Sequence, residues 1–184
     1  MHHPDSNDRK LLQQASAIGL LALDVDGTLT DGRVYLNNHG DDMLAFHTHD
    51  GYGLKALMRA GIEVAAISGR NSAAARTRLE ALGIKHLYLG VDDKLSVLQG
   101  LLNQLQLDIS QTCYVGDDYI DLPVLQVVGL PCVVSDGHSE LLKHVLIQTR
   151  KPGGYGAVRE VVELLLRAHN QLHQLMPPMP ATKR

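Results

Sequence analysis

Short apolar runs recur along the chain, and longer stretches with a helical spacing of apolar positions separate them. An apolar run bounded by Gly or Asn turns is typical of a buried strand, whereas apolar residues at i, i+3 and i+4 are typical of an amphipathic helix. Because strands alternate with helices almost throughout, the pattern predicts an α/β fold with a three-layer, doubly wound parallel sheet. The predicted strands are residues 20–23, 62–67, 86–89, 112–115, 131–134 and 145–148.

The helical stretches lie between these strands. Gly61 and Gly83 are placed to end two of them, since glycine readily adopts the left-handed conformation that follows a helix. The predicted helices are residues 11–18, 50–60, 72–82, 94–107, 121–128 and 139–144, and a last one that ends near residue 169.

A β-hairpin interrupts this alternation. Residues 33–36 and 43–48 flank a turn rich in Asn and Gly, a strand–turn–strand pattern that predicts a hairpin flap. Since the chain shows neither an internal repeat nor a linker, we expect a single domain over residues 11–170. We expect residues 1–10, which are polar, to be disordered. We expect residues 171–184 to form a flexible tail, because Pro177, Pro178 and Pro180 cannot continue a helix.

Composition excludes several classes of function. The 184 residues carry a formal net charge of −3, with no Trp and one Phe, which argues against nucleic-acid binding. No apolar run approaches the roughly 20 residues that span a bilayer, and the N-terminus lacks the layout of a secretory signal. We therefore expect a cytoplasmic protein with no membrane partner. Buried thiols are favoured for Cys113 and Cys132 over a disulfide or a reactive pair.

Polar groups stand where several predicted elements begin or end. They are Asp24 and Asp26 after the first strand, Ser68 and Gly69 after the second, Lys94 at a helix start, and Asp117 and Asp118 after Gly116. Because the carboxyl ends of parallel strands share one edge of a sheet, we expect these groups to lie together. Paired carboxylates with substrate phosphate oxygens suit Mg²⁺. The set therefore predicts phosphoryl transfer, in which catalysis is mostly positioning and charge neutralisation.

Each member of the set has a chemical role in such a reaction. Asp24 is the predicted nucleophile, which forms an aspartyl-phosphate, and Asp26 is the predicted general acid that protonates the leaving oxygen and then activates water. Lys94 would hold the negative charge of the nucleophile and the phosphate. The remaining roles are phosphate binding for Ser68 and the Gly69 amide, Mg²⁺ binding for Asp117, and support of that ligand for Asp118 and Asp121.

Taken singly, these residues also have structural interpretations. Asp26 could belong to a solvated Asp-Gly turn, Ser68 could be a helix N-cap, and Lys94 could be a solvated lysine at a helix start. Asp118 and Asp121 could be acids of a first helical turn that the helix dipole favours. The ordered combination favours the catalytic interpretation.

Four short motifs resemble those of the haloacid dehalogenase superfamily: DVDGTLT, a strand ending in SGR, a lone lysine, and GDDYID. This resemblance covers residues 20–134 and implies a Rossmann-like fold of the haloacid dehalogenase type. The chain more closely resembles the 3-deoxy-D-manno-octulosonate 8-phosphate phosphatase family of lipopolysaccharide sugar synthesis, in DGRVYLNNHGD, FHTHDGYGLKAL, TRLEALGIKHLYLGVDDK and GGYGAVREVVELLL. The closer resemblance implies a Mg²⁺-dependent homotetramer without a cap domain.

The same resemblance implies the ligands. Mg²⁺ would lie on Asp24, the Asp26 carbonyl and Asp117. The implied substrate contacts are Asp26, His47, Thr48, His49, Asp50, Gly51, Lys55, Arg70, Arg78 and Lys94. This chain has His-Thr-His at positions 47–49 where the family usually has Asn-Val-Arg, and Lys55 where Arg is common. These departures concern the specificity for the sugar, because the catalytic set is intact.

The spacing of the motifs agrees with the lack of a cap domain. The segment between Asp26 and Ser68 has room for the hairpin and one helix, and the segment between Ser68 and Lys94 for a helix and a strand. A neighbouring subunit is then the natural source of a lid over the phosphate. Three functions compete: a phosphatase for a 3-deoxy-octulosonate 8-phosphate, a phosphatase for a nonulosonate 9-phosphate or another sugar phosphate, and a non-catalytic binding homologue.

Overall fold

The computed structural model describes residues 6–176, and a six-stranded parallel sheet forms its centre. The strands lie in the order β5-β4-β1-β6-β7-β8, and every neighbouring pair is parallel. This arrangement confirms the predicted α/β fold. The sheet strands are β1 (Leu20–Leu23), β4 (Glu63–Ser68), β5 (His86–Leu89), β6 (Thr112–Gly116), β7 (Leu130–Val133) and β8 (Ile147–Gln148).

Helices cover both faces of the sheet, which confirms the three-layer prediction. Buried residues of α2, α3 and α6, among them Leu54, Leu79 and Val162, form one apolar cluster with the sheet. Residues of α4 and α5, among them Leu98 and Leu125, form a second cluster on the other face. The helices are α1 (Ser6–Ser16), α2 (Thr48–Arg59), α3 (Ala73–Leu82), α4 (Lys94–Leu105), α5 (Leu122–Leu125) and α6 (Ala157–Ala168).

Strand β1 lies between β4 and β6, and its four residues are fully buried. Leu21 and Leu23 belong to one apolar cluster, whereas Leu20 and Ala22 belong to the other. This alternation over two covered faces explains why the strand is apolar throughout. The residue after β1, Asp24, therefore lies in the middle of the sheet's carboxyl edge.

The predicted hairpin is present but shorter than its pattern indicated. Strands β2 (Tyr35–Leu36) and β3 (Asp42–Met43) pair antiparallel. The prediction that the second strand continues to residue 48 is wrong, because α2 begins at Thr48. The side chain of His47 accepts a hydrogen bond from the amide of His49 and so caps this helix.

Other boundaries also differ from the predicted ones. Helix α1 begins at Ser6, so residues 6–10 are helical where disorder was expected. The predicted helices at 121–128 and 139–144 are a single α-helical turn, Leu122–Leu125, and a 3₁₀ segment, Ser139–His144. Residues 1–5 and 177–184, which include most of the predicted flexible tail, lie outside the described residues.

The last described residues pack against the body of the domain. They form a 3₁₀ turn, Leu172–Leu175, whose carbonyls accept hydrogen bonds from two side chains of α2. The Tyr52 hydroxyl donates to Leu175 at 3.2 Å, and the Arg59 guanidinium donates to Gln174 at 2.6 Å. This part of the predicted tail is therefore attached to the domain.

The two cysteines lie on neighbouring strands of the sheet. Both are buried and free, as predicted, and their sulfur atoms are 3.7 Å apart. Among the described helices, none is long and apolar enough to cross a membrane.

Asp50, one of the residues implied as a substrate contact, joins α2 to α6. Its side chain is buried, with a residue exposure of 1%. One carboxylate oxygen accepts from the amide of Gly156 at 3.2 Å and the other from the amide of Arg159 at 2.7 Å. Burial raises the pKa of Asp50, although these two hydrogen bonds act to lower it. Because Gly156 precedes α6 and has no side chain of its own to cap it, Asp50 supplies the cap.

Asp50→Ala is expected to lower the free energy of unfolding by about 2–3 kcal/mol, because two amides at the start of α6 lose their acceptor. Asp50→Asn keeps one acceptor and should lose less. Denaturant titration of both variants measures the effect. An unchanged stability together with a raised KM for substrate would contradict the capping role and support Asp50 as a substrate contact.

Candidate active site

A cavity of about 270 Å³ opens at the carboxyl edge of the sheet, beside β1, β4 and β6. The polar groups that the sequence placed at the ends of separate elements come together here. This confirms that the parallel sheet gathers them on one edge. The lining residues are Asp24, Asp26, Val34, Ser68, Gly69, Arg70, Lys94, Asp117, Asp118 and Ile120.

Lys94 is the central cation of this site, and its side chain is 1% exposed. Its Nζ lies 2.7 Å from Oδ1 of Asp24 and 2.8 Å from Oδ1 of Asp121. Lys94 is the first residue of α4, and Asp93 fixes this helix start by accepting a hydrogen bond from Ser96. Burial opposes the charge of Lys94, yet the two carboxylates raise its pKa, so the ammonium stays protonated.

Asp24 and Asp117 crowd together at the bottom of the cavity. Burial, followed by the repulsion of neighbouring carboxylates, raises the pKa of Asp24 to about 6 and the pKa of Asp117 to about 8. Oxygen atoms of Asp24, Asp117 and Asp121 lie within 4.8 Å of one another. A hard divalent cation would neutralise this crowding, since it prefers carboxylate oxygens. The donor set therefore fits Mg²⁺.

Gly27 makes the approach of Asp117 possible. It has a φ of +87°, a conformation that favours glycine. A Cβ at this position would overlap the Asp117 carboxylate. The Asp-Gly pair of the first motif thus gives Asp117 the room to lie near Asp24.

Asp26 lies in the turn that follows β1 and is held by Arg70. The Arg70 guanidinium donates to both carboxylate oxygens of Asp26, through Nη2 to Oδ1 and through Nε to Oδ2 at 3.1 Å. Its Nη1 donates to Asp42 of β3 at 2.7 Å. Arg70 therefore links the predicted acid–base to the hairpin. Asp42 could not be found from the sequence, because its contact with Arg70 depends on where the hairpin folds.

Ser68 ends β4 and lines the cavity together with Gly69. Its hydroxyl accepts a hydrogen bond from the Arg70 amide at 3.1 Å. The interpretation of Ser68 as a helix cap is wrong, because Ser72 caps α3 by accepting from the Ala75 amide. Ser68 is therefore free of a capping role and faces the cavity.

Several residues implied as substrate contacts do not line the catalytic cavity. Arg78 lies with Arg70 on a neighbouring cavity of about 970 Å³ between the hairpin and α3. Lys55 lines a different groove, beside Lys85. His47 and His49 contact each other edge to face, with ring centroids 4.9 Å apart, at the start of α2. Thr48 and Gly51 belong to the first turn of the same helix.

The turn at Gly153 and Gly154 supports the active-site loop from behind. The Gly154 amide donates to the Thr28 carbonyl at 3.1 Å. A Cβ at Gly153 would overlap the carbonyl oxygen of Gly27, so the two backbones touch. The sequence marked residues 153–156 only as a turn, because such an approach depends on tertiary packing.

Gly153→Ala is expected to lower kcat/KM about tenfold or more and to destabilise the fold by about 1–3 kcal/mol, because the new methyl group pushes on the backbone beside Asp26. Phosphate release and thermal unfolding measure the two effects. Gly100→Ala is the matched control, because Gly100 has open space on α4. This control should raise stability by about 0.5–1 kcal/mol and leave activity unchanged. Wild-type activity in Gly153→Ala would show that the turn does not position the loop.

The fold and the site define a haloacid dehalogenase-like hydrolase. A family model with this description matches residues 90–158, which contain Lys94, Asp117 and Asp121. The 3-deoxy-D-manno-octulosonate 8-phosphate phosphatase KdsC of Yersinia pestis is 45% identical over 162 residues, 88% of this chain and 87% of that protein. The enzyme of the same name from Escherichia coli K12 is 44% identical over 164 residues, 89% of this chain and 87% of its own. The chain belongs to the 3-deoxy-D-manno-octulosonate 8-phosphate phosphatase family.

Solved structures of this family have the same fold. The crystal structure of the Yersinia pestis phosphatase has a TM-score of 0.87 to this chain, with 45% identity, and the match covers 89% of this chain and 88% of the other. The phosphatase of Moraxella catarrhalis, solved in complex with a magnesium ion, a phosphate ion and KDO, also has a TM-score of 0.87. It is 42% identical, and the match covers 89% of this chain and 94% of the other. These matches confirm the family that the motifs resembled.

Proposed function

We propose that this protein is a Mg²⁺-dependent phosphatase that hydrolyses 3-deoxy-D-manno-octulosonate 8-phosphate to the free keto-sugar acid and phosphate, in lipopolysaccharide sugar synthesis. One observation carries the proposal. Lys94 is buried between Asp24 and Asp121, with Asp117 alongside, in a cavity that also contains Asp26. The similarity to phosphatases of this name along nearly nine tenths of the chain supports the choice of substrate.

Asp24 begins the proposed reaction. One of its carboxylate oxygens attacks phosphorus, and the bond from phosphorus to the sugar oxygen breaks as Asp26 gives that oxygen a proton. Asp26 then takes a proton from water, and the water oxygen attacks phosphorus and releases phosphate from Asp24. Lys94 stays fully charged beside the nucleophile and neutralises the phosphoryl oxygens during both steps.

The metal would be held by the Asp24 and Asp117 carboxylates and the Asp26 carbonyl. When bound, Mg²⁺ supplies charge neutralisation to the transferring phosphoryl group. Asp121 supports this arrangement and is not a ligand in the proposal, because its oxygens already accept from Lys94 and from the amides of Asp117 and Asp118. Asp118 accepts from the Tyr119 amide and holds the turn after Asp117.

The substrate would occupy two adjoining spaces. Ser68 and the Gly69 amide bind the phosphate in the catalytic cavity, and Arg70 and Arg78 face the sugar acid in the neighbouring cavity. Since the Arg70 guanidinium is paired with the Asp26 carboxylate in the structure, this pair has to open before Asp26 can act on the leaving oxygen. A substrate carboxylate would then replace Asp26 on the guanidinium.

A phosphate-release assay tests the proposed function. Wild-type protein with Mg²⁺ is compared on 3-deoxy-octulosonate 8-phosphate, a nonulosonate 9-phosphate, a hexose 6-phosphate and an aryl phosphate. The proposal expects the highest kcat/KM on the first substrate and no turnover after removal of Mg²⁺ by a chelator. A higher kcat/KM on the nonulosonate 9-phosphate would show that this compound is the preferred substrate. No turnover on any of the four would leave a non-catalytic binding protein.

We further propose a cytoplasmic homotetramer in which the hairpins meet. The hairpin exposes Val34, Tyr35, Leu36 and Met43, with Leu36 67% and Met43 56% exposed. A two-stranded hairpin is marginally stable alone in water, so a partner for this apolar surface is expected. His47, Thr48, His49 and Lys55 lie outside the catalytic cavity of their own chain, and we propose that they reach a sugar acid across a subunit boundary. Gly51 is buried, and its lack of a side chain leaves room for the Arg78 guanidinium.

Light scattering tests the assembly. Leu36→Glu should convert the tetramer to smaller species, because it places a charge on the proposed interface. Leu146→Glu is the control, since Leu146 is 54% exposed and directly precedes β8, the strand at the edge of the sheet opposite β5. A wild-type protein that is fully active as a monomer would reject the homotetramer.

A further inference from the structure

A tyrosine lies directly beneath the catalytic site and has no part in the mechanism so far. Tyr114 is in the middle of β6 and is 0% exposed. Its ring packs in the apolar cluster that contains Leu98 and Leu101 of α4. Its hydroxyl donates to Oδ1 of Asp121 at 2.6 Å. A phenylalanine would fill the same space, so the hydroxyl requires its own explanation.

Asp121 connects this hydroxyl to the rest of the site. Its Oδ1 also accepts from Lys94 at 2.8 Å. Its Oδ2 accepts from the amides of Asp117 at 2.9 Å and Asp118 at 3.3 Å. One carboxylate thus holds the phosphate-facing cation on one oxygen and the backbone of the metal-binding turn on the other. A rotation of this carboxylate would displace both.

The space around Asp121 is closed on the side of β6. A Cβ at Gly116 would overlap its carboxylate, so glycine is required where the strand passes. Asp121 itself is 0% exposed, so bulk water does not reach its carboxylate to replace a lost hydrogen bond. Burial, and then the charges of Asp121 and Asp24, raise the pKa of Tyr114, so its hydroxyl keeps its proton and acts as a donor.

We propose that Tyr114 is a positioning residue of the phosphatase: its hydroxyl fixes the plane of the Asp121 carboxylate, which in turn sets the positions of Lys94 and of the Asp117 turn. The proposal rests on the proposed function, since the groups it positions are those of the phosphatase reaction. Tyr114 touches neither substrate nor metal and acts only through Asp121. Partners that lie directly behind a metal ligand typically contribute 10- to 100-fold to activity or metal affinity. Tyr114 lies one step further back, behind Asp121, so we expect an effect near the lower end of that range.

Tyr114→Phe tests the hydroxyl alone. We expect kcat on the aryl phosphate to fall about tenfold or more and the Kd for Mg²⁺, measured by calorimetry without substrate, to rise about tenfold. Tyr88→Phe is the matched control, because Tyr88 is a partly buried tyrosine of β5 outside this network. It should change neither quantity. Wild-type kcat and Mg²⁺ affinity in Tyr114→Phe would overturn the proposal, whatever the change in Tm.

A double-mutant cycle tests whether Tyr114 acts through Asp121. If it does, adding Tyr114→Phe to Asp121→Asn lowers kcat no further, because the second variant already removes the carboxylate that the hydroxyl orients. Losses that multiply would overturn the proposal. Should Asp121→Asn not fold, the single variant and its Mg²⁺ titration decide. A wild-type protein that binds Mg²⁺ but releases no phosphate would refute the function, while the Mg²⁺ titration would still test the role of Tyr114.

Discussion

Asp24→Asn is expected to release no measurable phosphate and yet to fold like the wild type. An amide cannot form the acyl phosphate, so the first step of the reaction is lost. The fold should persist, because Lys94 keeps its ion pair with Asp121 when Asp24 loses its charge. Phosphate release over a long incubation and thermal unfolding measure the two halves of this expectation.

Two further variants make the result specific to the nucleophile. Asp26→Asn removes the general acid–base and should lower kcat by roughly 10²–10⁴-fold, which is a large loss but a measurable rate. Asp92→Asn makes the same chemical change at an exposed position outside the cavity and should leave the rate unchanged. Near wild-type turnover by Asp24→Asn would exclude a phosphoaspartyl mechanism.

Lys94→Met is expected to lower both activity and stability. Its removal leaves Asp24 and Asp121 buried without their shared cation, and the loss of one partner from a buried ion pair typically costs about 3–5 kcal/mol. The rate should fall about 10³-fold, the size of effect seen when one preorganised electrostatic group is removed. Denaturant titration and phosphate release test this prediction.

Added Mg²⁺ should raise the Tm of Lys94→Met more than that of the wild type. In the variant, Mg²⁺ would neutralise buried carboxylates that have lost the lysine ammonium. Lys85→Met changes an exposed lysine and provides the control. If Lys94→Met were as stable as the wild type without Mg²⁺, the ion pairs of Lys94 would contribute nothing to the fold.

The sequence was sufficient to predict which groups form the core of the site. Asp24, Lys94 and Asp117 each stand next to the end of an apolar run or the start of a helix, and a parallel sheet brings such positions to one edge. This inference needs only the alternation of strands and helices. The strand order and the contacts between side chains are not required.

Contacts between distant elements could not be predicted in this way. The contact between Arg70 and Asp42 depends on how the hairpin folds back. The contact between Tyr114 and Asp121 depends on which face of β6 the tyrosine side chain occupies. The start of α2 was misplaced because its cap is a histidine, His47, which is not among the residues preferred at that position. The family resemblance implied Asp50 as a substrate contact, and the sequence does not reveal that its oxygens also accept from two amides at the start of α6.

The backbone contact between Gly153 and Gly27 has a consequence for synthesis on the ribosome. The first catalytic residues emerge early, but the turn that braces their loop is made only after residue 153 has left the exit tunnel. Strand β1 also lacks one of its two neighbours in the sheet until β6 has been synthesised, since the two strands pair in the complete sheet. We therefore expect nascent chains shorter than this to lack a competent site, so that a partly synthesised chain does not act on the cell's phosphate esters.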